Sequence, residues 1–181
     1  MEGAAASAQE QAAGDSIAGA LAAGLDAAAA GCGGGGGGGG DSGEDEPTSA
    51  EWKARGGAHF KAGRFKEARE CYGEALDLEM ASDYSGGKAV ASVLYANRSV
   101  CQLKLGDHDA ALLDAGRAVQ IDRQNRKAFF RKGEAFHAMQ RYDDALDAYL
   151  HAQHLCEEAG EPPDPALEKR IEYCERPAKD R

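Results

Sequence analysis

The chain of 181 residues carries 31 acids against 21 Lys and Arg, a formal net charge of −10. That charge is uneven: residues 1–51 hold nine acids and no Lys or Arg, so the rest is close to neutral. An acidic balance without a basic stripe interleaved with aromatics disfavours nucleic acid, and five cysteines, an odd number with no Cys-x-x-Cys pair, fit a reducing compartment.

Residues 1–49 contain eight consecutive glycines, Gly33 to Gly40, and otherwise mostly Ala, Gly, Ser and acids. Such a segment buries too little apolar surface to offset its ordering entropy, which predicts a disordered tail. The Ala-rich part from Ile17 to Ala30 has fractional helical propensity. It lacks the basic flank of a secretory signal and the arginines of a mitochondrial one. Asp26 interrupts it, and it is too short and polar to span a bilayer.

From Ala50 the chain repeats itself. Ser99, Ala111 and Ala118 recur 34 residues later as Gly133, Ala145 and Ala152, and the same framework stands earlier at Gly56, Ala68 and Ala75. A period of about 34 with small residues at fixed points marks stacked helical hairpins. In the first repeat, about 50–83, Trp52, Gly56 and Phe60 sit on the first helix, and Phe65, Ala68, Tyr72, Ala75 and Leu76 on the second, with a turn at Gly63-Arg64. The second, about 92–125, turns at Gly106-Asp107, and the third, about 126–159, at Gln140-Arg141. Nine extra residues around Met80 to Lys88 predict a long connection followed by an extended helix. After the breaker run Gly160-Glu161-Pro162-Pro163, Asp164 is a natural N-cap and Pro165 a good first helical residue. Leu167, Ile171 and Cys174 mark the buried face of a capping helix over 164–176, which Pro177 ends. The expected fold is therefore all-α, three helix-turn-helix repeats and a cap in a right-handed α-solenoid, preceded by the disordered tail.

Chemistry that would signal an enzyme is missing from the pattern. The Gly33–Gly40 run lacks the Lys and Ser/Thr of a phosphate loop. His151 and His154 with nearby Cys156 lack a fourth ligand, so neither a metal nor a cofactor is expected. Asp143, Asp144 and Asp147 read as a solvated helix face. Unpaired cysteines fit a reducing compartment, the cytoplasm and also the nucleus, where Cys serves as a small buried hydrophobe.

The placements of Trp52, Gly56, Ala68, Tyr72 and Ala75, repeated in register over residues 50–157, resemble the tetratricopeptide repeat. In that family the first helix of each pair lines the concave groove. Here those helices carry Lys53, Asn97 and the i,i+4 pair Lys127 and Arg131. Two cations held so close repel one another, and a bound anion relieves the repulsion. Through Leu94–Ser99, with Asn97, and through RKAFFRKGEA, with Lys127 and Arg131, the chain looks like co-chaperones of the carboxylate-clamp type. Lys53 stands at the family's first Lys, whereas Gly57 stands where the family has Asn.

What the resemblance implies is a non-enzymatic adaptor that binds the Glu-Glu-Val-Asp tail of cytosolic heat-shock chaperones of the seventy- and ninety-kilodalton classes. Lys127, Lys53 and Arg131 would hold its two terminal carboxylates, and Asn97 would add uncharged donors. Affinity on the order of micromolar is expected, with about 1 kcal/mol lost at Gly57. The helical phase predicts a groove lined also by Phe60, Val100, Leu103, Lys104, Phe130, Glu134 and His137. Gly57 leaves a second expectation open: the same scaffold with a degenerate clamp, docking another protein or an internal motif. Such clamps often accompany phosphatase, isomerase or ligase domains; with the sequence stopping soon after the cap, at ERPAKDR, no such domain is expected.

Overall fold

The computed structural model describes residues 46–81, 87–162 and 164–176. The tail over residues 1–45 with Cys32, the Ser85-Gly86 part of the insertion, Pro163 and Pro177 lie outside them. The described residues form seven helices: α1 (Ser49–Lys61), α2 (Phe65–Ala81), α3 (Gly87–Leu105), α4 (His108–Ile121), α5 (Arg126–Ala138), α6 (Tyr142–Glu158) and α7 (Pro165–Glu175). Each helix packs against the next, and α3 also reaches α5. First helices of repeats two and three thus meet on the inner side of a solenoid, as the 34-residue period predicts.

Helix ends follow from local chemistry. Thr48 and Glu51 form a capping box at α1: the Glu51 carboxylate accepts from Thr48 N–H at 2.8 Å, and Thr48 Oγ1 accepts from Glu51 N–H at 3.3 Å. The bond from the Thr48 backbone holds the Glu51 carboxyl below its ordinary range. All three repeats turn alike. Gly63, Gly106 and Gln140 have φ of 73, 83 and 60°. The next residue's N–H reaches back to the first helix, from Arg64 to His59, Asp107 to Gln102 and Arg141 to Phe136, at 2.9 Å each. This is the left-handed helix stop that glycine favours, and Gln140 adopts it at a cost of about 1 kcal/mol. Asp164 caps α7 through Ala166 N–H at 2.9 Å, with Pro165 in the first turn.

Small residues sit where helices cross. Ala68, Ala75, Ala111, Ala118, Ala145 and Ala152 are fully buried. At Gly56 and Gly133 the facing rings, Tyr72 and Tyr149, would lie 2.8 and 2.5 Å from an added Cβ, so glycine is required there. Repeat two solves the same crossing differently: Ser99 donates to Ala96 O at 2.8 Å and Ala115 replaces the ring. Beside it, Arg98 donates twice to the buried Asp114, at 2.7 and 2.9 Å, joining α3 to α4. Arg98 and Arg117 flank the Tyr95 ring.

Leu167, Ile171 and Cys174 bury the predicted face of α7. Cys71, Cys101, Cys156 and Cys174 are buried thiols, and burial pushes the Cys101 thiol up to about 12, which suits packing rather than reactivity. At 19 residues α3 exceeds α1 and α5 by more than a turn, the extended helix expected after the insertion. No helix among the described residues is long and apolar enough to cross a membrane. None of those residues forms a group of three or more His, Cys, Asp or Glu placed to hold a metal ion.

Candidate functional site

The start of α5 is fixed before its charges are. Asn125 accepts from Ala128 N–H at 3.1 Å and donates to Ser92 Oγ at 2.8 Å; Ser92 in turn donates to Ala118 O at 2.9 Å. One amide therefore caps α5 and ties it to α3 and α4. This sets Lys127 and Arg131 on α5 in register with Asn97 on α3.

Burial holds the Lys127 ammonium below the usual lysine range, and the charges of Arg126, Arg131 and Lys53 depress it further, with Glu161 opposing them. Three cations from α1 and α5 thus act on one half-buried ammonium, although Lys53 and Lys127 are separated by two repeats. Asn97 is buried, at 9 % exposure, on the helix between them. An anion bound beside Lys127 would favour its charged form.

Arg131 is already engaged. It donates to Glu134 at 2.6 Å, with both side chains largely shielded (12 and 19 % exposed), and its guanidinium lies 5.4 Å from the Phe130 centroid. Phe130 is itself buried, 5.5 Å from Tyr149, so it supports Arg131 from below. Val100 is buried; Leu103 and Lys104 are half-buried; Phe60 is partly buried and meets Phe65 edge-on at 5.4 Å. Gly57 is partly exposed, and an added Cβ there would find only the Tyr72 hydroxyl, 3.9 Å away.

His137 lies elsewhere than helical phase predicts. It sits at the seam of α5, α6 and α7, with ring centroids 5.4 Å from Tyr142 and 5.0 Å from Tyr173, and with Nε2 buried without a hydrogen-bond partner. The cap covers a residue that would otherwise look into the groove. Burial and the charge of Arg170 lower its pKa to about 4, against the opposing pull of Glu134. The folded chain therefore favours neutral imidazole. That contribution is whole above pH 6.5, the unfolded value, and is lost as pH falls toward 4. Allowing for partial solvent screening, the loss should reach up to about 2 kcal/mol. Thermal midpoints from about pH 7.5 to 4 should fall more steeply in the native chain than in His137→Phe; parallel curves would contradict this.

Arg126 is the charged residue that sequence reasoning missed. It pairs with Glu161 and donates to Cys156 Sγ at 3.3 Å, bridging α5 to the end of α6. A local signal for it exists: Asn125, a strong N-cap, immediately precedes two cations.

The sequence model for the tetratricopeptide repeat matches residues 48–124. The Hsp70/Hsp90 co-chaperone CNS1 of Saccharomyces cerevisiae is 32 % identical over 110 residues, 61 % of this chain and 27 % of that protein. The first tetratricopeptide domain of Spaghetti (RPAP3), solved with the HSP90 peptide SRMEEVD, superimposes with a TM-score of 0.60 at 25 % identity, covering 70 % of this chain and 90 % of that one. The Arabidopsis OM64 tetratricopeptide domain gives 0.60 at 28 % identity, over 70 and 93 %. The chain spans about a quarter of the length of the CNS1 relative. Repeat period, crossing glycines, shared turn geometry and these likenesses agree: residues 48–124 match the tetratricopeptide repeat, and the chain resembles the co-chaperones of the heat-shock chaperones.

Proposed function

We propose that this chain is a non-enzymatic adaptor whose groove binds the acidic C-terminal tail of cytoplasmic heat-shock chaperones of the seventy- and ninety-kilodalton classes. Repeats over residues 50–157 form the groove, closed by the cap at 164–176. Lys53, Lys127 and Arg131 meet the two terminal carboxylates, and Asn97 supplies uncharged hydrogen bonds. Arg131 presents a planar fork and the lysines flexible ammonium donors, which suits two carboxylates on one residue. The observation that carries this reading is that Lys127 and Arg131 lie one turn apart on α5, whose start is tied to the helix of Asn97, with Lys53 near enough for its charge to act on Lys127. Relatives in co-chaperones, and a similar domain solved with a peptide ending in Glu-Glu-Val-Asp, support it.

A synthetic peptide with that ending should bind the full chain with Kd on the order of micromolar and weaken with added salt. Glu134 competes for Arg131 in the free protein. Glu134→Gln should therefore tighten binding about threefold, by an amount typical of a single i,i+3 ion pair. Calorimetric titration of both chains checks this; no detectable binding by the native chain would count against the reading.

A further inference from the structure

Gly57 leaves one hydrogen-bond position of the groove without a side chain. It lies one turn beyond Lys53 on α1, so both positions share a helix face. Among the described residues, the one neighbour that an added Cβ would meet within 4 Å is the hydroxyl of Tyr72, at 3.9 Å. The Tyr72 ring is fixed beneath Gly56, against whose α-carbon side it packs so closely that a Cβ would collide. Tyr72 is 1 % exposed, and its hydroxyl lies at the edge of the core, 3.9 Å from where a Cβ of the partly exposed Gly57 would stand. In repeat three, by contrast, the residue after the crossing glycine is Glu134, and the Tyr149 hydroxyl is enclosed without a partner. The two tyrosines play the same packing part, but only Tyr72 has its polar end beside an empty side-chain position.

We propose that the Tyr72 hydroxyl serves as a ligand-binding donor in place of the amide that Gly57 lacks, hydrogen-bonding a carboxylate held by Lys53 and Lys127. The proposal rests on the carboxylate-binding reading above. An asparagine at 57 would carry its amide two bonds beyond Cβ, within reach of the space the hydroxyl borders. A phenol has one proton to donate, and burial raises the Tyr72 pKa, so the hydroxyl stays protonated and acts as a donor toward an anion. The ring is pre-positioned by packing, so little side-chain entropy is lost on binding. Glycine at 57 then has a use: it places no side-chain atoms between the hydroxyl and a ligand approaching α1.

The test is a double-mutant cycle in the full chain, with Tyr72→Phe, Gly57→Asn and the pair. The probe is a synthetic peptide ending in Glu-Glu-Val-Asp, as free acid and as C-terminal amide. Tyr72→Phe keeps the ring under Gly56, and its thermal midpoint should stay within a few degrees of native. It should weaken binding of the free acid roughly tenfold, as expected for a lost hydrogen bond to a charged group. Gly57→Asn should restore most of that loss in the Tyr72→Phe background while changing the otherwise native chain little. A native chain that prefers the acid, with a Tyr72→Phe variant binding within twofold of it, overturns this inference alone. A native chain that binds acid and amide equally overturns the carboxylate-binding reading and this inference with it.

Discussion

Replacing Lys127 and Arg131 together by alanine should weaken binding of an acidic C-terminal peptide by roughly a hundredfold or more. Each side chain offers charge-assisted hydrogen bonds contributing about 1.5–3 kcal/mol, and the pair lies one turn apart on α5. The fold should survive. Lys127 is half-buried on the helix surface, and the start of α5 is held by Asn125 and Ser92 rather than by either cation. Losing Arg131 leaves Glu134 without its partner, so the single Lys127→Ala is the cleaner variant, with a roughly tenfold loss expected. Burial first and the neighbouring cations second already disfavour the Lys127 charge, and truncating the side chain removes a ligand contact. Titration of both variants, with thermal midpoints as the folding control, measures this. Binding within threefold of native by the double variant would contradict it.

The second large effect concerns stability. Asp114 is 2 % exposed and accepts both hydrogen bonds of the Arg98 fork, with Arg117 3.9 Å away. Asp114→Ala leaves the Arg98 guanidinium in a partly buried site without its counter-ion. Breaking one side of such a pair costs about 3–5 kcal/mol. For a domain of this size that lowers the thermal midpoint by roughly 10–15 °C. Removing both charges with Arg98→Met in the same chain should recover part of the loss, because the desolvation cost disappears along with the attraction. A midpoint within about 3 °C of native for Asp114→Ala would show that the pair contributes little.

The parts of this molecule that are legible in its sequence are those set by backbone geometry. Gly63 and Gly106 mark turns because a positive φ is needed there. Gln140 is placed by the 34-residue register alone, and takes the same conformation without glycine's freedom. Gly56 and Gly133 stand at crossing points, and the Tyr72 and Tyr149 rings show the steric reason. Asp164, Pro165, Leu167, Ile171 and Cys174 define the cap because capping and an apolar stripe at i, i+4 and i+7 are local signals. The capping box of Thr48 and Glu51 is equally local, but it lies just ahead of the repeat register, which does not point to it.

What stays hidden depends on partners distant in sequence. Helical phase places Glu134 near Arg131, yet it cannot say that the guanidinium is taken up in the free protein, which depends on Phe130 and the flanking helices. Phase likewise turns His137 toward the groove, whereas docking of α7 encloses it between Tyr142 and Tyr173. Arg98 and Asp114 occupy slots adjacent to the Ser99 and Ala115 crossing, so the register aligns them. Only the folded arrangement reveals that they form a shielded bidentate pair. The same limit applies to Lys53, Lys127 and Arg131: the register aligns them, but the effect of their charges on one another depends on how α1 and α5 are placed.

The central claim is that the groove reads two carboxylates on one terminal residue. It is tested most directly by titrating the full chain with a peptide ending in Glu-Glu-Val-Asp and with the same peptide amidated at its C-terminus. Amidation removes one carboxylate and leaves the side chains unchanged. The free acid should bind with micromolar Kd and the amide at least about tenfold more weakly; equal affinity for the two would contradict the account.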